Sequence, residues 1–466
     1  MAKEFKLTFC GGVGTVTGAN FLAEKTDGEN VYRFLIDCGL VQGVDFADEL
    51  NHKEFFYDPA LIDALLVTHA HMDHIGRIPK LVKDGFRGRI YSTLETLELS
   101  KFMLEDAQKI LDEEARFKGI LPLYEKEDVD KAFTLWQSLP YGQSRSIFPD
   151  INVFLKDSGH VLGSSMYEVE TTVSRDGGKE EKIKVVFTGD LGNSPSPLLK
   201  DTEKIFGATY ILMESVYGDR NHESREERGN YLKEAIIKGA KKGGAILIPS
   251  FSLEKTQVIL HELNYLAERE EIPKIPVFLD SPLAIKITGV YKKSAYLFNE
   301  KARNEIEKGD DLFRFPRLSF TQTRMESEEI RRHNGPKVII AGSGMSNGGR
   351  ITEHEIFYLG DQKNTIIFMG YQAAGTLGRR IEEGMRRVSI KGVDVDVRAE
   401  VVKIQGYSSH KDLDNLVSFV SDSAETLKNV FVVMGEPKSS YFLAQRLHDY
   451  LGVNATVPDV NESVTL

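Results

Sequence analysis

Residues 64–74 read Ala64-Leu65-Leu66-Val67-Thr68-His69-Ala70-His71-Met72-Asp73-His74. A short apolar run, ALLVT, has the composition of a buried β-strand and ends directly in three imidazoles and a carboxylate within six positions. A loop anchored on a rigid strand is where function-bearing side chains are commonly presented. Nitrogen and oxygen donors at this density suit Zn²⁺, which takes open tetrahedral or five-coordinate sites. One zinc cannot readily take all four donors from so short a loop, whereas two can. A lone histidine is ordinarily a surface or core residue; H-x-H-x-D-H reads as metal-binding.

Two metals need further donors, and the sequence offers them in Gly- or Ser-rich turns: His160 in DSGHVLGSS, Asp190 in FTGDLG and His410 in GYSSHKD. Five of the eleven histidines fall in these motifs, and His52, His261, His333 and His448 read as ordinary side chains. Cys10 and Cys38 are the only cysteines, too few for a disulfide framework and without thiolate-zinc spacing. Any metal is therefore expected on His and carboxylates. Asp37 ends the strand-like VYRFLID.

Working outward, the first 40 residues alternate apolar runs with glycines, as strands joined by tight turns do. IGRIPKLVKDGF has helical spacing, and 93–137 is mostly helical with a break at ILPLY. Strand signals return at INVFLKDSGH, MYEVETTV and IKVVFTGDLG, the last two flanking the polar hairpin SRDGGKEEK. From about residue 211 the rhythm becomes strand–helix: TYILMES, a helix around 230–242, GAILIPS, a helix over 253–269, IPVFLDSP, KVIIAGSGMSNGGR and NTIIFMGYQAAGTLGRR. Such alternation indicates a parallel α/β region. After Arg380 come VDVRAEVVKI, a motif loop, a helix and NVFVVMG. The middle block reads as an inserted domain.

At 466 residues two domains are expected, and 41% hydrophobic with 28% charged residues is an ordinary globular balance. The N-terminus lacks the pattern of a secretory signal and no run of about 18 apolar residues occurs, so a soluble cytoplasmic protein without membrane association is expected. A net charge of −11 argues against coating nucleic acid through bulk electrostatics but leaves room for a local basic cleft.

The set H-x-H-x-D-H, His160 and Asp190 resembles the metallo-β-lactamase superfamily. Glu214-Ser215-x-Tyr217-Gly218-Asp219-Arg220, Asp280-Ser281-Pro282, Ser343-Gly344-Met345 and Gly406-x-Ser408-x-His410 resemble its β-CASP branch, which contains RNA 3′-end-processing endonucleases and their archaeal and bacterial relatives. The resemblance covers nearly the whole chain. It implies an α/β protein, a metallo-β-lactamase αββα sandwich interrupted by an inserted parallel α/β β-CASP domain. Residues 1–210 would form the first part of the sandwich, 211–379 the insert and 380–466 the completion. It implies a zinc-dependent ribonuclease, by analogy an endonuclease, with two Zn²⁺. His69, His71 and His160 would hold one ion, Asp73, His74 and His410 the other, and Asp190 would bridge them. Asp37 would orient a ligand histidine, and Glu214 would support the site. Asp73 would also hold the attacking water, in-line attack then resting on positioning and charge stabilisation.

Phosphate would be gripped away from the metals. The Ser343–Arg350 loop follows a strand and precedes a helix, so its N–H groups, Ser343 and Gly344 among them, suit an anion. Two departures from the family pattern bear on this grip. P-x-F-A-x-G-R-x-Q is replaced by Pro249-Ser250-Phe251-Ser252-Leu253-Glu254-Lys255-Thr256-Gln257, where Lys255 keeps the charge without the guanidinium fork. Eukaryotic members carry a His, proposed as general acid, where this chain has Arg380; Arg380 or Arg379 is then expected to clamp a phosphate. The competing readings are a thioesterase or lactamase on the same zinc site, a catalytically silent RNA-binding scaffold and a DNA-directed nuclease. RNA is the expected partner, and a homodimer is among the states the sequence leaves open.

Overall fold

The computed structural model describes residues 3–43, 46–222, 225–373, 375–404 and 406–466. The chain divides into two compact units, Met1–Asn221 with His410–Leu466, and His222–Ser409.

The first unit has two seven-stranded sheets. One runs in the order Ser463–Thr465, Lys3–Gly11, Asn20–Asp27, Asn30–Ile36, Ala64–Leu66, Arg89–Ser92, Trp136–Ser138. Its first four strands are antiparallel and the rest parallel. The other runs Ala455–Thr456, Asn429–Val433, Tyr210–Glu214, Glu180–Phe187, Ser165–Ser174, Ile151–Asp157, Ser144–Phe148. Alternation places every second residue inward: Phe5, Leu7 and Phe9 from the first sheet share a buried core with Val153, Leu155, Val169, Val185, Leu212 and Phe431 from the second. On the outer face of the second sheet, Leu416, Val420, Leu443 and Leu447 of helices Leu413–Ser421 and Pro437–Leu451 pack on Ile211, Met213, Val430 and Val432. Helices Leu94–Lys118 and Lys126–Leu135 contact the strands Trp136–Ser138 and Arg89–Ser92 of the first sheet. The layers are α, β, β, α.

The second unit is built on a six-stranded, wholly parallel sheet in the order Leu318–Phe320, Val277–Asp280, Lys337–Ala341, Ala245–Pro249, Thr365–Met369, Glu400–Ile404. AILIP, KVIIA and TIIFM are buried at every position, as strands covered on both faces are.

Two segments lie elsewhere than the sequence rhythm assigns them. TYILMES, expected to open the insert at 211, contains the strand Tyr210–Glu214, which pairs in parallel with Glu180–Phe187 and Asn429–Val433 inside the first unit. VDVRAEVVKI, expected to begin the completion at 380, supplies Glu400–Ile404, which pairs with Thr365–Met369 in the second. A parallel strand followed by a helix reads the same in either sheet, because periodicity reports burial and says nothing of the pairing partner. Among the described residues no helix is long and apolar enough to cross a membrane.

Candidate metal centre

The turn 68–74 is fixed by backbone on both sides. Asp37, at φ 57°, follows the strand Asn30–Ile36 and donates its N–H to Leu66 O at 2.9 Å. Cys38 and Leu40 then donate to His74 O at 2.8 Å and Met72 O at 2.9 Å. Gly39 is needed for close approach, since a Cβ there would lie 1.5 Å from Asp73 O. The Asp37 carboxylate, 1% exposed, accepts Thr68 N–H and Thr68 Oγ1–H, each at 2.7 Å, and lies 2.7 Å from His74 Nδ1. His160 sits in a turn gathered by Ser164 Oγ, which accepts the N–H of His160 and Val161 at 3.1 and 3.2 Å. Asp190 follows the strand Glu180–Phe187, and His410 pairs with Gly192 in an isolated antiparallel bridge in which Lys411 N–H donates to Leu191 O at 2.9 Å. Glu214, fully buried at the end of its strand, accepts Leu191 N–H at 2.7 Å and lies 3.1 Å from His410 Nδ1.

These turns bring the expected donors together. His71 Nδ1 lies 3.1 Å from His69 Nε2 and 3.3 Å from His160 Nε2. Asp190 Oδ2 stands 3.5 Å from both His69 Nε2 and His160 Nε2, while Asp190 Oδ1 stands 3.3 Å from His74 Nε2. Metal–nitrogen bonds of about 2.0–2.1 Å in a tetrahedron separate donors by about 3.4 Å, so these spacings fit an ion at their centre. His74 Nε2 and Asp190 Oδ1 are moreover buried with no hydrogen-bond partner among the described residues, a costly arrangement that a cation relieves. Donor atoms mutually within reach of one ion form three groups that share Asp190: His69, His71 and His160; Asp73 and His74; and Glu214 with His410. His410 thus groups with Glu214 and Asp190, rather than with Asp73 and His74.

The electrostatics follow from crowding charge in a dry place. Burial pushes the Asp73 carboxyl up to about 6. Burial works against a charged His410, but Glu214 and then Asp190 outweigh it and lift the ring to about 9. Burial and then His74 drive His69 well below its ordinary value.

The phosphate-binding expectations fall in the second unit. The carbonyls of Gly342, Ser343, Met345 and Gly348 accept from Ile351, Ser346, Gly378 and Ser343 N–H, and Gly344 O accepts from the Gln372 side chain. With its carbonyls so occupied, the loop keeps the N–H groups of Gly344, Met345, Asn347 and Gly348 without an acceptor among the described residues, just before helix Gly349–Tyr358. Arg379 Nε donates to Glu383 Oε1 at 2.6 Å, whereas Arg380 Nε is buried with no partner among the described residues. Lys255 Nζ donates to the Tyr407 carbonyl, so part of its capacity is used within the chain.

Thr68 is the polar residue of this centre that motif reading passes over. Its only signal is a hydroxyl directly before His69, and its partner Asp37 lies 31 positions away.

The chain resembles known proteins along its length. A metallo-beta-lactamase superfamily domain matches residues 26–176, a Beta-Casp domain residues 256–381, and a Zn-dependent metallo-hydrolase RNA specificity domain residues 394–458. "Ribonuclease TTHA0252" of Thermus thermophilus is 35% identical over 89% of this chain and 90% of its own length. "Transcription termination factor FttA" of Thermococcus kodakarensis is 31% identical over 100% of this chain and 72% of its own. A crystal structure of a protein of unknown function from Enterococcus faecalis V583 shares the fold at TM-score 0.55 and 14% identity, covering 99% of this chain and 100% of that one. With a relative this similar across nine-tenths of both lengths, and the inserted parallel sheet in place, the chain belongs to the β-CASP branch of the metallo-β-lactamase superfamily of metal-dependent hydrolases.

Proposed function

We propose that this chain is a dinuclear zinc ribonuclease that hydrolyses RNA phosphodiester bonds. The observation that carries the reading is the disposition of Asp190, whose two oxygens face different donor sets: Oδ2 meets His69 and His160, and Oδ1 meets His74. That is the arrangement expected of a carboxylate shared by two ions. His69, His71 and His160 would hold one zinc and Asp73 and His74 the other, with His410 approaching from the Glu214 side of the shared Asp190. The name of the Thermus relative, a ribonuclease, supports RNA as the substrate class.

Two zinc ions so held would supply a water of lowered pKa and would neutralise charge on the phosphate oxygens. The chain's own residues do the rest. Asp37 orients His74 through Nδ1 and leaves Nε2 facing Asp190, and Glu214 orients His410 through Nδ1. Asp73 has 20% of its side chain exposed against 1% for His74 and 4% for Asp190, so it is the carboxylate able to hold an attacking water for in-line approach. In the second unit the uncommitted N–H groups of Gly344, Met345, Asn347 and Gly348 would hold a phosphate, while the Ser343 N–H is spent on Gly348 O and shapes the loop. Arg380 has donors uncommitted to other side chains and grips a charged oxygen, while Arg379 is tied to Glu383. Lys255 contributes charge to the same surface. A guanidinium stays protonated near neutrality, so Arg380 offers a charge and paired hydrogen bonds to a phosphate and not a proton, which solvent would supply.

The test is cleavage of end-labelled RNA and DNA of matched sequence by the zinc-loaded chain, beside a thioester and a β-lactam, with Asp190→Ala as control. RNA cleavage that the control abolishes is expected. DNA cleavage at equal or greater rate assigns the DNA-directed reading, turnover of the thioester or lactam alone assigns the wider superfamily, and tight RNA binding without cleavage assigns a scaffold.

A further inference from the structure

The two donor sets hang from one carboxylate. Asp37 accepts only, and among the described residues three donors converge on it: Thr68 N–H on Oδ1 at 2.7 Å, and Thr68 Oγ1–H and His74 Nδ1–H on Oδ2, each at 2.7 Å. A hydroxyl has one proton. Because the Thr68 proton goes to Asp37, its oxygen faces every other neighbour as an acceptor. His69 Nδ1 lies 3.1 Å from that oxygen and so must carry its own proton. A neutral imidazole protonated at Nδ1 has its lone pair at Nε2, and His69 Nε2 is the atom that faces His71 and Asp190. The Thr68 rotamer is itself held: Gly189, at φ 53°, lies so close that a Cβ there would come within 2.6–2.9 Å of Thr68 Cβ, Oγ1 and Cγ2.

We propose that Thr68 is a positioning residue that fixes the tautomer of His69, so that Asp37 orients His74 of one donor set directly and His69 of the other through the Thr68 hydroxyl. The inference rests on the two-zinc reading above. It assigns a division of labour that the motif does not contain: Thr68 serves chiefly the His69–His71–His160 position, its oxygen lying 3.1 Å from His69 Nδ1 against 3.4 Å from His74 Nδ1, whose proton goes to Asp37, while Asp37 serves both. Loss of the hydroxyl leaves His69 Nδ1–H without an acceptor among the described residues, frees the ring to take the other tautomer and weakens one zinc position selectively. Loss of an outer hydrogen-bond partner of a metal-bound histidine typically weakens metal binding about 10–100-fold.

The experiment is a zinc titration of the metal-free full chain against a chromophoric chelator, for wild type, Thr68→Val, Thr68→Ser and Asp37→Asn. Valine keeps shape and burial without the hydroxyl, and serine restores the hydroxyl. Wild type should take two zincs. Thr68→Val should hold one as tightly as wild type and the other roughly 10–100-fold more weakly, Thr68→Ser should stay within a few-fold of wild type at both, and Asp37→Asn should weaken both. Wild-type affinity at both positions in Thr68→Val, or equal loss in the serine variant, overturns the proposal. A wild-type chain that binds a single zinc sinks the two-zinc reading instead, and the valine–serine comparison at that one position still decides the role of the hydroxyl. If Thr68→Val does not fold, ¹⁵N-histidine NMR of the zinc-loaded wild type decides. A proton on His69 Nδ1 with zinc at Nε2 is required, and zinc at Nδ1 overturns the inference.

Discussion

Asp280 of the Asp280-Ser281-Pro282 motif ends the strand Val277–Asp280 and is fully buried. Its Oδ1 accepts Thr321 Oγ1–H at 2.7 Å and Arg350 Nη1–H at 2.6 Å, and its Oδ2 accepts Ser327 Oγ–H at 2.5 Å and lies 2.7 Å from His354 Nε2. Arg350 and His354 lie one turn apart on the helix that follows the Ser343–Gly348 loop, so Asp280 anchors that loop through the helix. Removing the carboxylate in Asp280→Ala strands four donors. Arg350, whose side chain is 23% exposed, can turn to water, and Thr321 Oγ1 retains Leu279 O at 3.1 Å, which leaves chiefly Ser327 and His354 orphaned. At about 1–3 kcal/mol per buried orphan, and by comparison with breaking a buried pair, the loss should be about 3–5 kcal/mol. Hydrogen exchange is the assay: protection of the strand Lys337–Ala341 should fall roughly 10²–10⁴-fold, with zinc content unchanged because every candidate metal donor lies in the other unit. The sign with pH is also fixed. Burial raises the Asp280 carboxyl, but hydrogen bonds from His354, Ser327, Thr321 and Arg350 hold it at about 2. Its contribution is then present above the unfolded value of about 3.9 and is lost as pH falls toward 2, and Asp280→Asn should lack that decline. A loss of less than about 1 kcal/mol in Asp280→Ala refutes the reasoning.

Arg380→Ala should slow RNA cleavage at saturating substrate by roughly 10²–10³-fold, the usual loss of one transition-state donor, whereas Arg379→Ala, which breaks only the exposed pair with Glu383, should change it little; single-turnover rates decide. Glu355 is fully buried and accepts from Ser346 Oγ, and burial pushes its carboxyl up to about 8. With the folded value raised, its contribution is greatest below about pH 4.3 and is lost as pH climbs through 8, so thermal midpoints should fall between pH 5 and 9 and Glu355→Gln should flatten that fall. A fragment of residues 1–210 lacks the strand Asn429–Val433, its two covering helices and His410, and should be poorly folded and zinc-deficient by circular dichroism and elemental analysis.

The legible parts of this protein are those in which chemistry is written locally. H-x-H-x-D-H fills six positions shortly after a strand end, and His160, Asp190 and His410 each lie in a turn of small residues, so the candidate donors stand out one by one. The buried parallel strands AILIP, KVIIA and TIIFM likewise declare themselves by unbroken apolarity. What stays hidden depends on pairing across sequence distance. Whether Tyr210–Glu214 or Glu400–Ile404 joins one sheet or the other is settled by hydrogen bonds to strands far away in the chain. Thr68 is silent for the same reason, since its meaning comes from Asp37, and the distinction between Arg379 and Arg380 appears only once the helix Leu377–Glu382 aims one at Glu383 and buries the Nε of the other.

The most direct test of the account is the number of zinc ions per chain at which RNA cleavage saturates, measured by titrating zinc into the metal-free chain and following an end-labelled RNA. With one Asp190 oxygen toward each donor set, the proposed reading has the rate climb to its plateau at about two equivalents, since both ions would act on one phosphate. A plateau at one equivalent, or cleavage at full rate with no zinc bound, contradicts it.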